Sequence, residues 1–192
     1  MSVAFAALLV CGIASAAPPT KPVPGTVGLR QHTVAIRHAC GTSTTVITQA
    51  RPGDAPALVA AMQLRPIRGL SFDQRRAAAS IRRFETWFAR SQAVVEAAIT
   101  AAQAEAASAT RPVDRVAALA SIVQVNQRLA EVLRSAEIPA DVRSYAEAIE
   151  VYCDALEEKA ATIDAQADAA RRVCADAAAH ILPGWWTPTC TP

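Results

Sequence analysis

Five cysteines and three histidines are the side chains of this 192-residue chain best suited to chemistry, and their spacing decides which chemistry. Cys11, Cys40, Cys153, Cys174 and Cys190 form no C-x-x-C and no C-x-x-C-H, so thioredoxin-type exchange and covalent haem attachment lack their signatures. His38 lies near Cys40 and His180 near Cys174, but neither set has zinc-site spacing, and with His32 these histidines read as surface or boundary residues. Nothing resembles a nucleophile elbow, a phosphate-cradling loop or an H-E-x-x-H helix. Glu157 and Glu158 are adjacent and leave a helix in different directions, which makes them solvated charges and not an acid–base dyad. The expectation is a protein that is no enzyme, with no cofactor and no metal.

Disulfides are the chemistry that remains, and they require an oxidising compartment. Residues 1–16 read as a secretory signal: 3–13 is an apolar run, and Ala14-Ser15-Ala16 supplies the small-x-small pattern that precedes cleavage. The run is too short for a membrane-spanning helix, which needs about 20 residues. No Lys or Arg precedes it, and Val10 beside Cys11 is too large for lipoprotein processing. Export removes Cys11 and leaves an even set, Cys40, Cys153, Cys174 and Cys190. The expected location is the periplasm or the exterior, with outer-membrane association compatible with both.

Which cysteines pair depends on the helices that carry them. In residues 141–182 apolar side chains fall at Val142, Tyr145, Ile149, Tyr152, Leu156, Ala160, Ile163, Ala167, Ala170, Cys174, Ala177 and Ile181, in steps of three and four. That is the seam of one amphipathic helix, on the order of 60 Å long. Cys153 and Cys174 would then sit about 31 Å apart along its axis, whereas a disulfide needs Cα atoms within about 7 Å. Cys153 with Cys190 fails as well, because residue 182 lies about 43 Å beyond Cys153 and the eight residues to Cys190 reach at most ~29 Å. Cys174 with Cys190 closes easily once the chain reverses at Pro183-Gly184, which leaves Cys40 with Cys153.

A helix that long is not stable alone, and the rest of the chain must supply partners. Ser71-Phe72-Asp73-Gln74 fits a capping box, and Ile81, Phe84, Phe88, Val95 and Ile99 then share one face of a first helix running to about 108. Arg111-Pro112 breaks it. A second helix is expected over 113–137, with Val116, Leu119, Val123, Ala130 and Leu133 on its face, and Pro139 introduces the third. The fold class is therefore all-α, an up-down-up bundle of three long helices. Residues 17–69 form a Pro-rich leader and irregular segment. Within it Thr33–Ile36 and Thr44–Ile47 flank Cys40-Gly41-Thr42-Ser43 and allow a short hairpin, and 55–64 allow a short helix. The expected divisions are a signal at 1–16, this segment at 17–69 and the bundle with its tied tail at 70–192.

Charge is uneven. Residues 1–90 hold eleven basic and three acidic side chains, and 91–192 hold eight and fourteen, for a net +2. In the up-down-up arrangement Arg75, Arg76, Arg82, Arg83 and Arg90 lie level with Glu147, Glu150, Asp154, Glu157 and Glu158, so the expectation is internal pairing and no nucleic-acid partner. Tyr145, Tyr152, Trp87, Phe84 and Phe88 read as core, with a ligand cleft between first and third helices as the competing reading. Trp185 and Trp186 either contact a partner or cap the open end of the bundle. The alanine-rich seams bury little area each, and at about 25 cal/mol per Å² the core is thin enough to need its staples.

Ala136-Glu137-Ile138-Pro139, the stretch from Tyr152-Cys153-Asp154 to Lys159-Ala160, Cys174, Trp185-Trp186 and Cys190 together resemble a helical region at the C-terminus of large tetratricopeptide-repeat proteins of gliding soil bacteria. These are the adventurous-gliding envelope proteins, and the resemblance covers roughly residues 113–190. No complete 34-residue repeat is visible in this chain. The resemblance implies an exported scaffold or adaptor that acts by contact with an envelope protein partner. The alternative is a periplasmic helical bundle that binds a small ligand or a metal.

Overall fold

The computed structural model describes residues 32–38, 40–47, 55–184 and 186–191, so the expected signal segment, most of the leader and Trp185 lie outside it. The elements in chain order are β1 (His32–His38), β2 (Gly41–Ile47), α1 (Pro56–Met62), α2 (Ala77–Ser108), α3 (Pro112–Arg134), α4 (Ala146–Ala178) and the single turn α5 (Thr187–Cys190). The body is an all-α bundle, and β1 and β2 form a two-stranded antiparallel hairpin ahead of it. Their pairing runs from His32↔Ile47 to His38↔Gly41, so Gly41-Thr42-Ser43, expected in the turn, belong to β2.

Local chemistry explains where the helices start and stop. The approach to α2 is capped by Asp73 and not by Ser71. Asp73 Oδ1 accepts the N–H groups of Arg75 and Arg76 at 2.9 and 3.0 Å. The Ser71 hydroxyl is turned the other way and donates to the carboxylates of Asp73 (2.8 Å) and Asp141 (3.3 Å), so the expected capping box does not form. A second helix ends three residues early, at Arg134, because Glu137 is used elsewhere. Its N–H donates to the Ile67 carbonyl at 3.3 Å, and its carboxylate accepts Gly69 N–H and Arg143. The third helix begins at Ala146, not residue 141, after hydrogen-bonded turns over Pro139–Tyr145. Its 33 residues run unbroken past both Cys153 and Cys174 for about 50 Å.

Neighbouring helices are antiparallel. Leu133 near the end of α3 packs in one core cluster with Leu156 near the start of α4, while Val116 at the start of α3 packs with Cys174 near the end of α4. The first cluster also takes Val95 and Ala98 from α2, Ala61 from α1 and Ile67 from the loop that follows it.

The element at the centre is α3, not the longer α4. Val116, Val123, Val125, Leu129, Val132 and Leu133 of α3 are all buried, and so are its polar residues Ser121, Gln124, Asn126 and Glu131. Helices α1, α2, α4 and α5 all pack against α3, so almost no face of it is left to solvent. Ser121 and Asn126 return their side-chain donors to carbonyls four residues back, and Gln124 reaches Thr189 of α5 at 3.4 Å.

This arrangement overturns the expected internal charge pairing. Among the described residues, the α2 arginines form no ion pair with Glu147, Glu150, Asp154 or Glu158 of α4. Arg76 pairs with Asp73 and Arg83 binds carbonyls. Arg134 of α3 meets Glu157 and Asp164 of α4.

Candidate functional site

Both expected disulfides are present. Cys40 of the hairpin joins Cys153 of α4 with a Cα–Cα distance of 5.3 Å, and Cys174 joins Cys190 at 5.1 Å. All four sulfurs are thereby committed to structure and are not available as metal ligands. Among the described residues, no three His, Cys, Asp or Glu side chains gather closely enough to hold a metal ion.

Trp186 is a cap, not a displayed partner contact. It is 7 % exposed and packs with Cys174, Cys190, Val116 and Val123 where α5 folds back over the bundle. Gly184 makes this possible, because a Cβ there would overlap the Trp186 ring. Thr187 holds the reversal by accepting the Gly184 N–H on its hydroxyl at 2.9 Å.

The expected aromatic group divides. Tyr145 is 66 % exposed and belongs to no cluster. Phe84, Trp87, Phe88 and Tyr152 are partly buried and pack against the larger core, as the reading of them as core expects. Phe84 lies 5.6 Å from Trp87 and 6.2 Å from Phe88 between ring centroids, and the Lys159 ammonium sits 5.8 Å above the Phe88 ring. Phe72 meets Tyr152 edge-on at 6.1 Å. The Tyr152 hydroxyl donates to the Glu137 carbonyl at 3.0 Å. Burial, with the Glu137 charge nearby, pushes its pKa up to about 12.

The surface best suited to recognition lies beside this group. Arg65 and Arg68, from the loop after α1, face Arg82, Arg83 and Arg90 of α2 across an open groove of about 610 Å³, with Trp87 in its wall. The loop is clamped in place. Gly69 turns the chain with φ +66°, the left-handed conformation that glycine adopts without a Cβ penalty. The Arg83 guanidinium donates to the carbonyls of Arg68 (2.7 Å) and Gly69 (2.9 Å). Trp87 Nε1 donates to the Arg65 carbonyl at 3.2 Å, and Arg128 of α3 donates to that of Leu64 at 2.7 Å.

Arg83 is thus a positioning residue, while Arg65, Arg68, Arg82 and Arg90 point charge at solvent. None of the lining residues is acidic. The neighbouring Arg128 registers the accumulated charge: burial lowers its pKa first, Glu131 opposes that, and Arg65 lowers it further. Arginine presents a planar fork matched to carboxylate or phosphate oxygens, so the groove suits an anionic group. The internal pairing expected for Arg82, Arg83 and Arg90 left the groove unseen in the sequence. The available signal was Arg65 and Arg68 beside Pro66 and Gly69, a basic loop with turn residues opposite a basic helix face.

No family model, no curated protein and no solved structure matches this chain.

Proposed function

We propose that this chain is an exported, non-enzymatic scaffold or adaptor of the bacterial cell envelope, working through protein–protein contact, with the arginine groove as its contact surface. The single observation that carries this reading is the groove itself: five arginines on a loop and a helix fixed to each other, with no acidic side chain among the residues that line it. The loop backbone is held by four bonds to its carbonyls, from Arg83, Trp87 and Arg128, so a partner does not have to bear the cost of ordering the loop. Two disulfides support a location outside the reducing cytosol, and no helix among the described residues is long and apolar enough to cross a membrane. The resemblance of residues 113–190 to envelope tetratricopeptide-repeat proteins agrees with such a role.

The test is capture from envelope fractions with disulfide-intact protein, comparing the wild type with an R82E/R90E variant. A partner retained by the wild type and lost by the variant supports the reading. Recovery of the same proteins by both, or of none together with turnover of a substrate, overturns it.

A further inference from the structure

We infer that the arginine groove receives the acidic face of α4 from a second copy of this chain. The inference rests on the contact function proposed above and names its partner. Glu147, Glu150, Asp154 and Glu158 are all exposed, and among the described residues none of them joins an ion pair. The buried seam of α4 runs through Leu156, Ala160 and Ile163. At about 100° per residue, Asp154 and Glu158 lie on the order of 140–180° around the helix from Leu156 and Ile163. This acidic ridge therefore looks away from the bundle, and among the described residues it forms no ion pair with the chain's own groove arginines.

The two faces match in sign and in pitch. Arg82 and Arg90 are eight residues apart on α2, and Glu150 and Glu158 are eight apart on α4. Each pair therefore spans about 12 Å along its helix. Val151, 69 % exposed, stands on the same ridge and offers Trp87 an apolar contact. With a net charge of +2, long-range repulsion between copies is small, so local complementarity sets the outcome. A bilayer fits less well, because it is flat where the groove is concave. The exposed large apolar side chains Ile81, Tyr145, Val151, Val173 and Leu182 are scattered over the surface, not gathered around the groove. Groove and ridge are different patches, so a head-to-tail contact repeats from copy to copy and builds a ring or a filament, either one suited to a scaffold.

Sedimentation velocity on disulfide-intact protein tests this, using two neutralised variants, R82Q/R90Q and E150Q/E158Q, whose helix content is first checked by circular dichroism. At about 20 mM salt the mass of the wild type should rise with concentration, and at about 0.5 M it should return to monomer, since screening shortens the reach of exposed charges. Each variant alone should remain monomeric. An equimolar mixture of the two should give a dimer and nothing larger, because it contains one intact groove and one intact ridge per pair.

A wild type that is monomeric at low salt, or association that survives neutralisation, overturns the inference. Wild type that stays monomeric yet sediments with vesicles of anionic lipid, and loses this in R82Q/R90Q, assigns the groove to a membrane surface and also overturns it. A monomeric wild type that still captures an envelope protein removes the second copy as partner and leaves the proposed function standing.

Discussion

Arg134 grips Glu157 through two parallel hydrogen bonds, Nε to Oε2 at 2.8 Å and Nη2 to Oε1 at 2.7 Å, and Nη2 also reaches Asp164 at 2.5 Å. One guanidinium at the end of α3 thus spans two turns of α4, and the two carboxylates raise its pKa above an already basic value. The Arg134 side chain is 19 % exposed and that of Glu157 58 %, so the clamp falls between a surface pair and a buried one. Arg134→Met keeps the stem and removes the fork. It should destabilise the fold by about 1–2 kcal/mol, read as a lowered urea midpoint, with a smaller loss in high salt. An unchanged midpoint would show that the α3–α4 contact rests on apolar packing alone.

Gly69→Ala separates backbone strain from crowding in the groove. The nearest atom to a Cβ at this position is Arg83 Nη1 at 3.7 Å, an ordinary contact, so space is not the obstacle. The obstacle is φ +66°, which costs an L-residue about 1–2 kcal/mol. The variant should lower thermal stability by that amount and loosen the Arg65–Gly69 loop. Faster amide exchange at Gly69, whose N–H donates to Glu137 at 3.3 Å, is the readout.

The three long helices, their order and the sulfur pairing were legible in the sequence because each follows from one-dimensional quantities, whereas the turn α5 was not. Period gave the helices, Pro112 and Pro139 their breaks, and axial rise excluded Cys153 with Cys174. What stayed hidden depends on three-dimensional placement. Glu137 reads as a helix residue until the loop bearing Ile67 and Gly69 arrives to take its N–H and carboxylate. The centrality of α3 was obscured because Gln124, Asn126 and Glu131 look like solvent positions, yet all three are buried, Gln124 against Thr189 of α5. The groove was illegible for a related reason: charge totals cannot say whether α2 arginines face α4 acids or face away.

Trp186 and Gly184 make a sharper steric case. Among ring atoms, Trp186 Cζ3 and Cζ2 lie 2.5 and 2.6 Å from where a Gly184 Cβ would stand, well inside contact distance. The indole is buried against Cys174 and Cys190 and has nowhere to retreat. Gly184→Ala should therefore expel the ring or shift α5, at about 1–3 kcal/mol. A lower melting temperature and a red-shifted, more quenchable tryptophan emission should accompany it. If both stay at wild-type values, the Pro183-Gly184 reversal has more latitude than its geometry indicates.

Tyr152 gives a titration with a definite sign. The chain has two tyrosines, so in Tyr145→Phe the phenolate absorbance belongs to Tyr152 alone. Its midpoint should lie at about 12 in the folded protein, against 10.0 for the free side chain. Burial and the Glu137 charge disfavour the phenolate, and ionisation would also remove the donor to the Glu137 carbonyl. Because the folded pKa is raised, the associated stability is complete below pH 10. It declines as the pH rises from about 10 to about 12, where the unfolded chain ionises first. Unfolding free energies across that window should fall for Tyr145→Phe, and the slope should flatten when Tyr152→Phe is added. A midpoint near 10 in the folded protein would mean that the Tyr152 ring is wet and that the turn over Pro139–Tyr145 does not seal this end of the core.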